Sequence, residues 1–276
     1  MCEPVFPRQS YHLDFPTEQV DTMLLVMDVG NTNIELGVYD KRHLKHHWRL
    51  HTNRNMTEDE YAVNIKNLFR EVGVSASQID GVAIASVVPP LKHVLEKMCH
   101  KHFDIRPLMI GPGVKTGLNI KYENPREVGA DRIVNAVAAI QLYRTPTIIV
   151  DFGTATTFCL VDHKGDYLGG MIAPGIGVSI EALVNHAAQL TRIELVKPEH
   201  ILGKSTVKAM QSGVFYGCVG QVDGIVSRLQ HEVNGEAKVV ATGGLAELIG
   251  SETEMIHTIN PFLTLEGLYF VYKRNQ

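Results

Sequence analysis

The feature that most constrains the fold is an internal repeat of a strand, a tight turn and a second strand. The two copies read LLVMDVGNTNIELGVYD at residues 24–40 and IIVDFGTATTFCLVDH at residues 148–163. In each copy an apolar run leads into Asp-x-Gly, passes through small polar residues and continues as a second apolar run, which predicts a hairpin. An ungapped alignment of Asp28 with Asp151 places Asn33 on Thr156.

The residue types in this repeat are those that bind phosphate. Glycine permits positive φ or a close backbone approach, while Asn, Thr and turn N–H groups can donate hydrogen bonds to phosphate oxygens. The Asp could hold a cation or its water ligands. A single Asp-Gly turn is usually only a turn. Two copies with the Asp and the Gly in register indicate that the hairpin has a functional role in addition to turning the chain. Paired phosphate-binding hairpins are typical of the actin, hexokinase and Hsp70 superfold. We therefore expect an α/β protein with two related ribonuclease H-like domains and an ATP cleft between them.

A third segment supports nucleotide binding. Residues 239–246, VVATGGLA, predict a strand, a Gly-Gly turn and a helix, and in this superfold such a turn contacts the adenosine end of the nucleotide. Rival motifs fail on spacing. The stretch at 203–205, GKS, would need its first P-loop glycine at Pro198, and the pair Gly175 and Gly177 lacks the third glycine of a dinucleotide fingerprint because Ile180 stands there.

Composition narrows the class of protein. The 276 residues are 45% hydrophobic and 20% charged, as in ordinary globular enzymes, and the net charge of -4 gives no reason to expect nucleic acid or membrane as a partner. Four cysteines without a Cys-x-x-Cys pair favour a reducing cytoplasm, and no apolar run is long enough to span a membrane. We interpret residues 1–22 as a disordered or loosely attached tail, or as sequence upstream of a start at Met23.

Three further segments carry structural expectations. The stretch 41–51, KRHLKHHWRLH, fits an exposed strand and loop better than a metal site. Thr57 and Glu60 form a capping box that predicts a helix to about Val72. The stretch 207–233 carries glycines three or four residues apart, which either allow helices to approach closely, as across a dimer interface, or break the helix.

Six motifs together resemble type III pantothenate kinases. They are SVVPPL at 86–91, GPGVKTGL at 111–118, GADR at 129–132, GGMIAPG at 169–175 and the two hairpin motifs, DVGNTN at 28–33 and DFGTATT at 151–157. The resemblance runs from Met23 onward and implies domains at 23–137 and 138–276. It also implies transfer of the γ-phosphoryl group of ATP to pantothenate, which opens coenzyme A synthesis, by a homodimer that needs a monovalent cation.

The resemblance assigns residues to ATP and its cations. The expected ATP-binding residues are Asp28, Val29, Gly30, Asn31, Thr32, Asn33, Ile34, Glu35 and Thr154. Asp28 would lie near Mg²⁺, through water. Asp151 matches the ligand of the monovalent cation, K⁺ or NH₄⁺, although the residues alone would allow Mg²⁺ there equally well.

Asp131 matches the general base of the family. It opens the periodic stretch IVNAVAAIQLY, so it lies at a helix start, where the ionised carboxylate is favoured. The structural alternative is that Asp131 only caps that helix. The positions that match substrate contacts are Tyr122, Gly129, Ala130, Asp131, Arg132 and Thr206.

Two other functions remain open from the sequence. The chain could be another phosphotransferase or a phosphohydrolase of the same superfold, against which only GADR, Tyr122 and Thr206 speak. It could also be a non-enzymatic regulator, since relatives of the family have been named accessory factors for transcription. Asp28, Asp131 and Asp151 are all present, so no catalytic lesion supports a retired enzyme.

Overall fold

The structure is a computed structural model that describes residues 23–187 and 189–276. The tail predicted at 1–22 lies outside the described residues. The fold is built on two mixed β-sheets, each of which contains one copy of the repeated hairpin.

The first sheet has five strands in the order β3-β2-β1-β4-β5. Its strands are β1 (Met23–Val29), β2 (Asn33–Asp40), β3 (His43–His51), β4 (Ile79–Ser86) and β5 (Leu108–Met109). The first three strands form an antiparallel meander, while β4 is parallel to β1 and β5 is parallel to β4. The exposed strand predicted for 41–51 is confirmed as β3, whose residues alternate between exposed and half-buried.

The second sheet repeats this topology. Its strands are β6 (Asn119–Ile120), β7 (Thr147–Phe152), β8 (Ala155–Val161), β9 (Asp166–Pro174), β10 (Lys238–Thr242) and β11 (Thr258–Ile259). The order is β11-β10-β7-β8-β9-β6, so the five strands β7 to β11 reproduce the first sheet and β6 adds an edge strand. The shared order of a meander followed by two parallel strands confirms the prediction of two related α/β units.

Seven helices cover and separate the sheets in the part of the chain that the structure describes. They are α1 (Glu58–Glu71), α2 (Pro89–Phe103), α3 (Ala130–Leu142), α4 (Ile176–His186), α5 (Thr206–Glu232), α6 (Ala246–Gly250) and α7 (Leu263–Arg274). The predicted capping box is confirmed at the start of α1, where Thr57 Oγ1 accepts from the Glu60 N–H and the Glu60 carboxylate accepts from the Thr57 N–H. Within the described residues, no helix is both long and apolar enough to cross a membrane.

The helices form three layers around the two sheets. Helices α1 and α2 cover the outer face of the first sheet, and α4, α5 and α6 cover the outer face of the second. Between the sheets lie α3 and α7, which pack closely enough that a Cβ on Gly267 would collide with the Val134 carbonyl oxygen. The proposed boundary at 137/138 stays a prediction, and α3 runs through it.

Helix α5 settles one alternative that the sequence left open. It is continuous through Gly213, Gly217, Gly220 and Gly224, so the glycines do not break it. At the first three of these positions an added Cβ would meet no atom within 4 Å, so this side of α5 borders open space.

Candidate active site

The two repeated hairpins end in turns of different length. The Gly30 N–H donates to the Asn33 carbonyl at 3.0 Å, whereas the Gly153 N–H donates to the Ala155 carbonyl at 3.1 Å. The first turn is therefore one residue longer, and the alignment of Asn33 with Thr156 is wrong. An ungapped alignment hides this difference because both turns consist of small polar residues.

The two turns touch each other. The Oγ1 atoms of Thr32 and Thr154 are 2.9 Å apart, and both side chains are exposed. The turns follow β1 and β7, so they stand at the carboxyl ends of the parallel strands of both sheets, where α/β folds bind ligands. The N–H groups of Gly30 and Gly153 are bonded within their own turns, but the two hydroxyls are exposed and could bind an anion that enters between them.

The other predicted ATP-binding residues of the first hairpin differ in exposure, and Asp28, Gly30, Asn33 and Glu35 are partly exposed. Asn31 is exposed, and its Oδ1 accepts from Arg54 Nη2 at 2.9 Å. The side chains of Val29 and Ile34 are fully buried in the core under the first sheet, and their N–H groups pair with the neighbouring strands β4 and β3.

Four carboxylates lie near one another where the two sheets meet. They are Asp28, Glu35, Asp131 and Asp151. Burial, followed by the charges of Asp131, Glu35 and Asp151, raises the pKa of Asp28 well above its ordinary value. Burial and the charges of Asp131 and Glu35 raise the pKa of Asp151 to about 7, although a hydrogen bond from Asn135 opposes the increase. Within residues 23–187 and 189–276, no three His, Cys, Asp or Glu side chains are arranged to hold a metal ion by themselves.

Asp131 is the second residue of α3, whose N-cap is Gly129. Its Oδ1 accepts from the Arg132 N–H at 2.8 Å, so the carboxylate lies over the positive end of the helix dipole. The space around the Asp131 carboxylate is tight, because a Cβ on Gly129 would collide with that same Oδ1. Asp131 is therefore not the N-cap residue, and Gly129, two residues earlier, leaves room for the carboxylate.

Asn135 is a site residue that the sequence interpretation missed. It stands one helical turn after Asp131 on α3, is 2% exposed, and donates from Nδ2 to Asp151 Oδ2 at 3.1 Å. Its Oδ1 is buried and has no hydrogen-bond partner among the described residues. The i, i+4 spacing from Asp131 was the available signal, because it puts both side chains on one face of the helix.

The predicted substrate residues fall into two places. Arg132 is half-buried beside Tyr122 and Tyr167, and its Nη2 donates to the Glu127 carbonyl at 3.4 Å. Thr206 is the first residue of α5 and is exposed. Within the described chain no hydrogen bond or ion pair joins Thr206 to the residues around Asp131, so its role stays a prediction.

The predicted strand, Gly-Gly turn and helix are confirmed as β10, Gly243–Gly244 and α6. Thr242 lies opposite Asp151 in the parallel pairing of β10 and β7. Gly243 has φ of +91°, and an added Cβ would lie 2.6 Å from Asp151 Oδ1. Glycine is needed here both for the backbone conformation and to leave room for the carboxylate.

A second residue that the sequence interpretation missed is Arg49 on β3. Its Nη2 and Nε donate to the same oxygen of Glu35, Oε1, at 2.6 and 3.1 Å. The arginine stood in a stretch that we interpreted only as an exposed strand, and nothing in its spacing marked it.

A family model and a protein of known family both match this chain, and they name the same family. A family model described as type III pantothenate kinase matches residues 24–228. The type III pantothenate kinase of Halalkalibacterium halodurans is 59% identical over 253 residues, which cover 92% of this chain and 100% of the relative.

Solved structures of more distant proteins share the fold. A Campylobacter jejuni protein described as a Baf family transcriptional activator has a TM-score of 0.59 at 20% identity, over 91% of this chain and 98% of its own. A Sinorhizobium meliloti protein described as a 2-dehydro-3-deoxygalactonokinase has a TM-score of 0.57 at 11% identity, over 91% and 96%. At these identities the likeness shows the fold alone, and it agrees with the expected actin-like ATPase architecture.

Proposed function

This chain belongs to the type III pantothenate kinase family, and from that premise we propose how its residues divide the work of phosphoryl transfer. The enzyme uses ATP to phosphorylate pantothenate, the step that opens coenzyme A synthesis. Phosphoryl transfer depends mainly on positioning and on neutralising charge, so each site residue is assigned to one of those tasks or to the proton of the acceptor.

Asp131 is the general base that accepts the proton of the pantothenate hydroxyl. The observation that carries this assignment is its position at the N-terminus of α3, in the group of carboxylates that includes Asp28 of one hairpin and Asp151 of the other. The Arg132 N–H donates to Asp131 Oδ1 at the N-terminus of α3, so the helix holds the carboxylate in position to accept a proton.

The phosphates of ATP lie between the two turns. Residues 28–35 and Thr154 line this space, and the side chains of Asn31, Thr32, Asn33 and Thr154 supply the hydrogen-bond donors. The N–H groups of Val29 and Ile34 pair with the neighbouring strands β4 and β3, so these two residues shape the turn rather than donate to a phosphate. The hydrogen bond between Thr32 and Thr154 supports this assignment, because a phosphate chain that enters between these hydroxyls could bond to both. The adenosine end lies toward the Gly243–Gly244 turn.

The carboxylates fit two cations. Asp151 fits a monovalent cation, K⁺ or NH₄⁺, because the unpartnered Oδ1 of Asn135 belongs to the same amide that bonds to Asp151 and could add a neutral oxygen. Asp28 fits Mg²⁺ held through water, since burial and then the negative charges of Asp131, Glu35 and Asp151 raise its pKa, and a cation nearby would oppose that increase. When bound, these cations would supply positive charge to the phosphate oxygens.

Pantothenate binds along the start of α3. Gly129, Ala130 and Arg132 surround the base, and Arg132 suits the pantothenate carboxylate or nearby oxygens because its planar fork matches such groups. Tyr122 lies beside Arg132 and faces Gly169, where an added Cβ would lie 3.6 Å from its ring. Thr206 is a further contact that we assign from the motif alone.

We also propose that the enzyme is a homodimer and that it works in the cytoplasm. The dimer is supported by exposed apolar side chains in the second half of the chain, among them Ile172 at 62% and Leu202 at 78% exposure, and by the open glycine side of α5. The cytoplasm is supported by Cys99, Cys159 and Cys218, which are buried free thiols. That the chain binds neither nucleic acid nor membrane stays a prediction from its charge.

The proposed cation requirement predicts a specific pattern in a coupled assay of ADP release. With Mg²⁺ and ATP, we expect turnover only when pantothenate is present, and we expect K⁺ or NH₄⁺ to raise it well above the rate in Na⁺ alone. Turnover that is independent of the monovalent cation would refute its assignment to Asp151, and turnover of sugars but not pantothenate would refute the acceptor.

Gly129→Ala tests the position of the base without removing it. The added methyl group would displace the Asp131 carboxylate, and a shift of about 1 Å in a catalytic group can cost roughly 100-fold in rate. We therefore expect kcat to fall by about 10- to 100-fold while the KM for ATP changes little. Steady-state kinetics with both substrates measures this.

Gly177→Ala is the control, because Gly177 lies at the start of a helix, α4, as Gly129 lies at the start of α3, and its added Cβ would meet nothing within 4 Å. Its kcat should equal that of the wild type. If Gly129→Ala also kept full activity, the position of the Asp131 carboxylate beside Gly129 would not matter for catalysis.

A further inference from the structure

A row of charged residues crosses the first sheet and ends in the cleft. Arg49 on β3 lies opposite Glu35 on β2, and Glu35 lies opposite Asp28 on β1. Directly opposed residues of antiparallel strands point to the same face of a sheet. The guanidinium of Arg49 is therefore on the sheet face that carries Asp28 and Glu35, the two carboxylates at the ends of the first phosphate segment.

Arg49 also reaches the other half of the molecule. While Nη2 and Nε both donate to Glu35 Oε1, the remaining nitrogen, Nη1, lies 3.4 Å from the position of a Cβ added at Gly244. In the described ranges, 23–187 and 189–276, Nη1 makes no hydrogen bond. The guanidinium thus extends from the first phosphate segment to the Gly243–Gly244 turn with free donors, and its side chain is 52% exposed.

The negative charge of the cleft favours a cationic side chain near the phosphates. ATP brings several negative charges to a place where Asp28, Glu35, Asp131 and Asp151 already repel one another. The turn segments 28–35 and 151–157 contain no Lys or Arg. Positive charge from the protein must therefore come from side chains outside the two turns, and a guanidinium held in place by one carboxylate is well suited to bind phosphate through its other edge.

We propose that Arg49 is a phosphate-binding residue of the kinase, which contacts the phosphate chain of ATP where it passes from the hairpin turns toward the Gly243–Gly244 turn. Glu35 holds the guanidinium in this position. The inference rests on the proposed placement of ATP between the two turns, and it adds a cationic contact that neither turn can supply.

The test compares nucleotides that differ in phosphate number. Arg49→Met removes the charge but keeps most of the length of the side chain, and Arg49→Lys keeps the charge but removes the fork. Binding of ATP, ADP and AMP to the full chain is measured by calorimetry with Mg²⁺ and K⁺ present. We expect Arg49→Met to weaken ATP about 10- to 100-fold, as for loss of a charge-assisted hydrogen bond, and AMP much less. Arg49→Lys should fall between Arg49→Met and the wild type.

Arg42→Met is the matched control. Arg42 is an exposed arginine in the turn at the opposite end of the hairpin formed by β2 and β3, so its nucleotide affinities should equal those of the wild type. The melting temperature of Arg49→Met should stay close to the wild-type value, because a partly exposed ion pair contributes little to stability.

Two results would overturn the proposal. Unchanged ATP affinity in both Arg49 variants would exclude a phosphate contact, and an equal loss for ATP and AMP would place Arg49 at the adenosine end. Failure of the proposed function is distinguishable, because it would show as wild-type protein that binds ATP but does not turn over pantothenate. If Arg49→Met does not fold, Arg49→Lys gives the same comparison, with a smaller expected loss.

Discussion

Asp131→Asn lowers kcat for pantothenate phosphorylation by about 100- to 10,000-fold, the range expected when a general base is removed. The amide keeps the shape of the side chain and can still accept from the Arg132 N–H, so the start of α3 should be unchanged. Because the variant removes one charge from a group of four carboxylates, ATP should bind as well as it does to wild type or more tightly. Steady-state kinetics and calorimetric titration with ATP measure both effects.

The control for this variant is Glu127→Gln. Glu127 is an exposed carboxylate shortly before α3, so the substitution removes a nearby charge without touching the base. It should retain nearly full activity. A kcat for Asp131→Asn within about tenfold of the wild type would mean that Asp131 is not the base, since that is below the usual range for this kind of catalysis.

Asp151→Asn should make the enzyme nearly inactive and, in the absence of ligands, more stable at pH 8. The pKa of Asp151 is about 7 in the folded protein, above its ordinary value, so the unfolded chain loses this proton at lower pH than the folded chain does. Stability is therefore lost as the pH rises from about 4 to 7, and the neutral amide avoids that loss. We expect a gain on the order of 1–3 kcal/mol at pH 8 and almost none at pH 4.

Thermal unfolding at the two pH values, without Mg²⁺, K⁺ or nucleotide, measures the stability effect. The assay of ADP release should show a loss of roughly 100- to 1,000-fold and no response to K⁺. Asp80→Asn is the control, because Asp80 is an exposed aspartate on β4. If Asp151→Asn were less stable than wild type at pH 8, the carboxylate would be neutralised in the protein by a partner other than a bound cation.

The fold could be predicted largely because the chain contains the same unit twice. Each hairpin has its own alternation of apolar residues and its own Asp-x-Gly, so the comparison of two copies separated functional residues from turn residues. The topology of the second sheet then follows from that of the first. Turn length could not be predicted, because Asn33 and Thr156 look equivalent in sequence, and only the strand pairing reveals the extra residue.

Site residues could be predicted where they lie close together in the sequence. They could not be predicted where residues distant in sequence come together only in the folded structure. Asp131 stands in a short motif next to a helix start, which fixes its surroundings. Asn135 and Arg49 gained their meaning only from Asp151 and Glu35, which the fold brings to them. An arginine among basic residues on an edge strand has the same sequence pattern whether it faces solvent or a phosphate.

The central layer of the molecule also has a consequence for how the chain folds during synthesis. The inner face of β1 is covered by α7, which lies more than 230 residues later in the sequence. Until α7 has left the ribosome, the core that contains Leu24 and Val26 lacks one of its two covering helices, and this face of the first sheet is incompletely buried. Contacts of such long sequence separation are slow to form, so completion of the first lobe and entry of α7 between the sheets should be a late, shared step in folding.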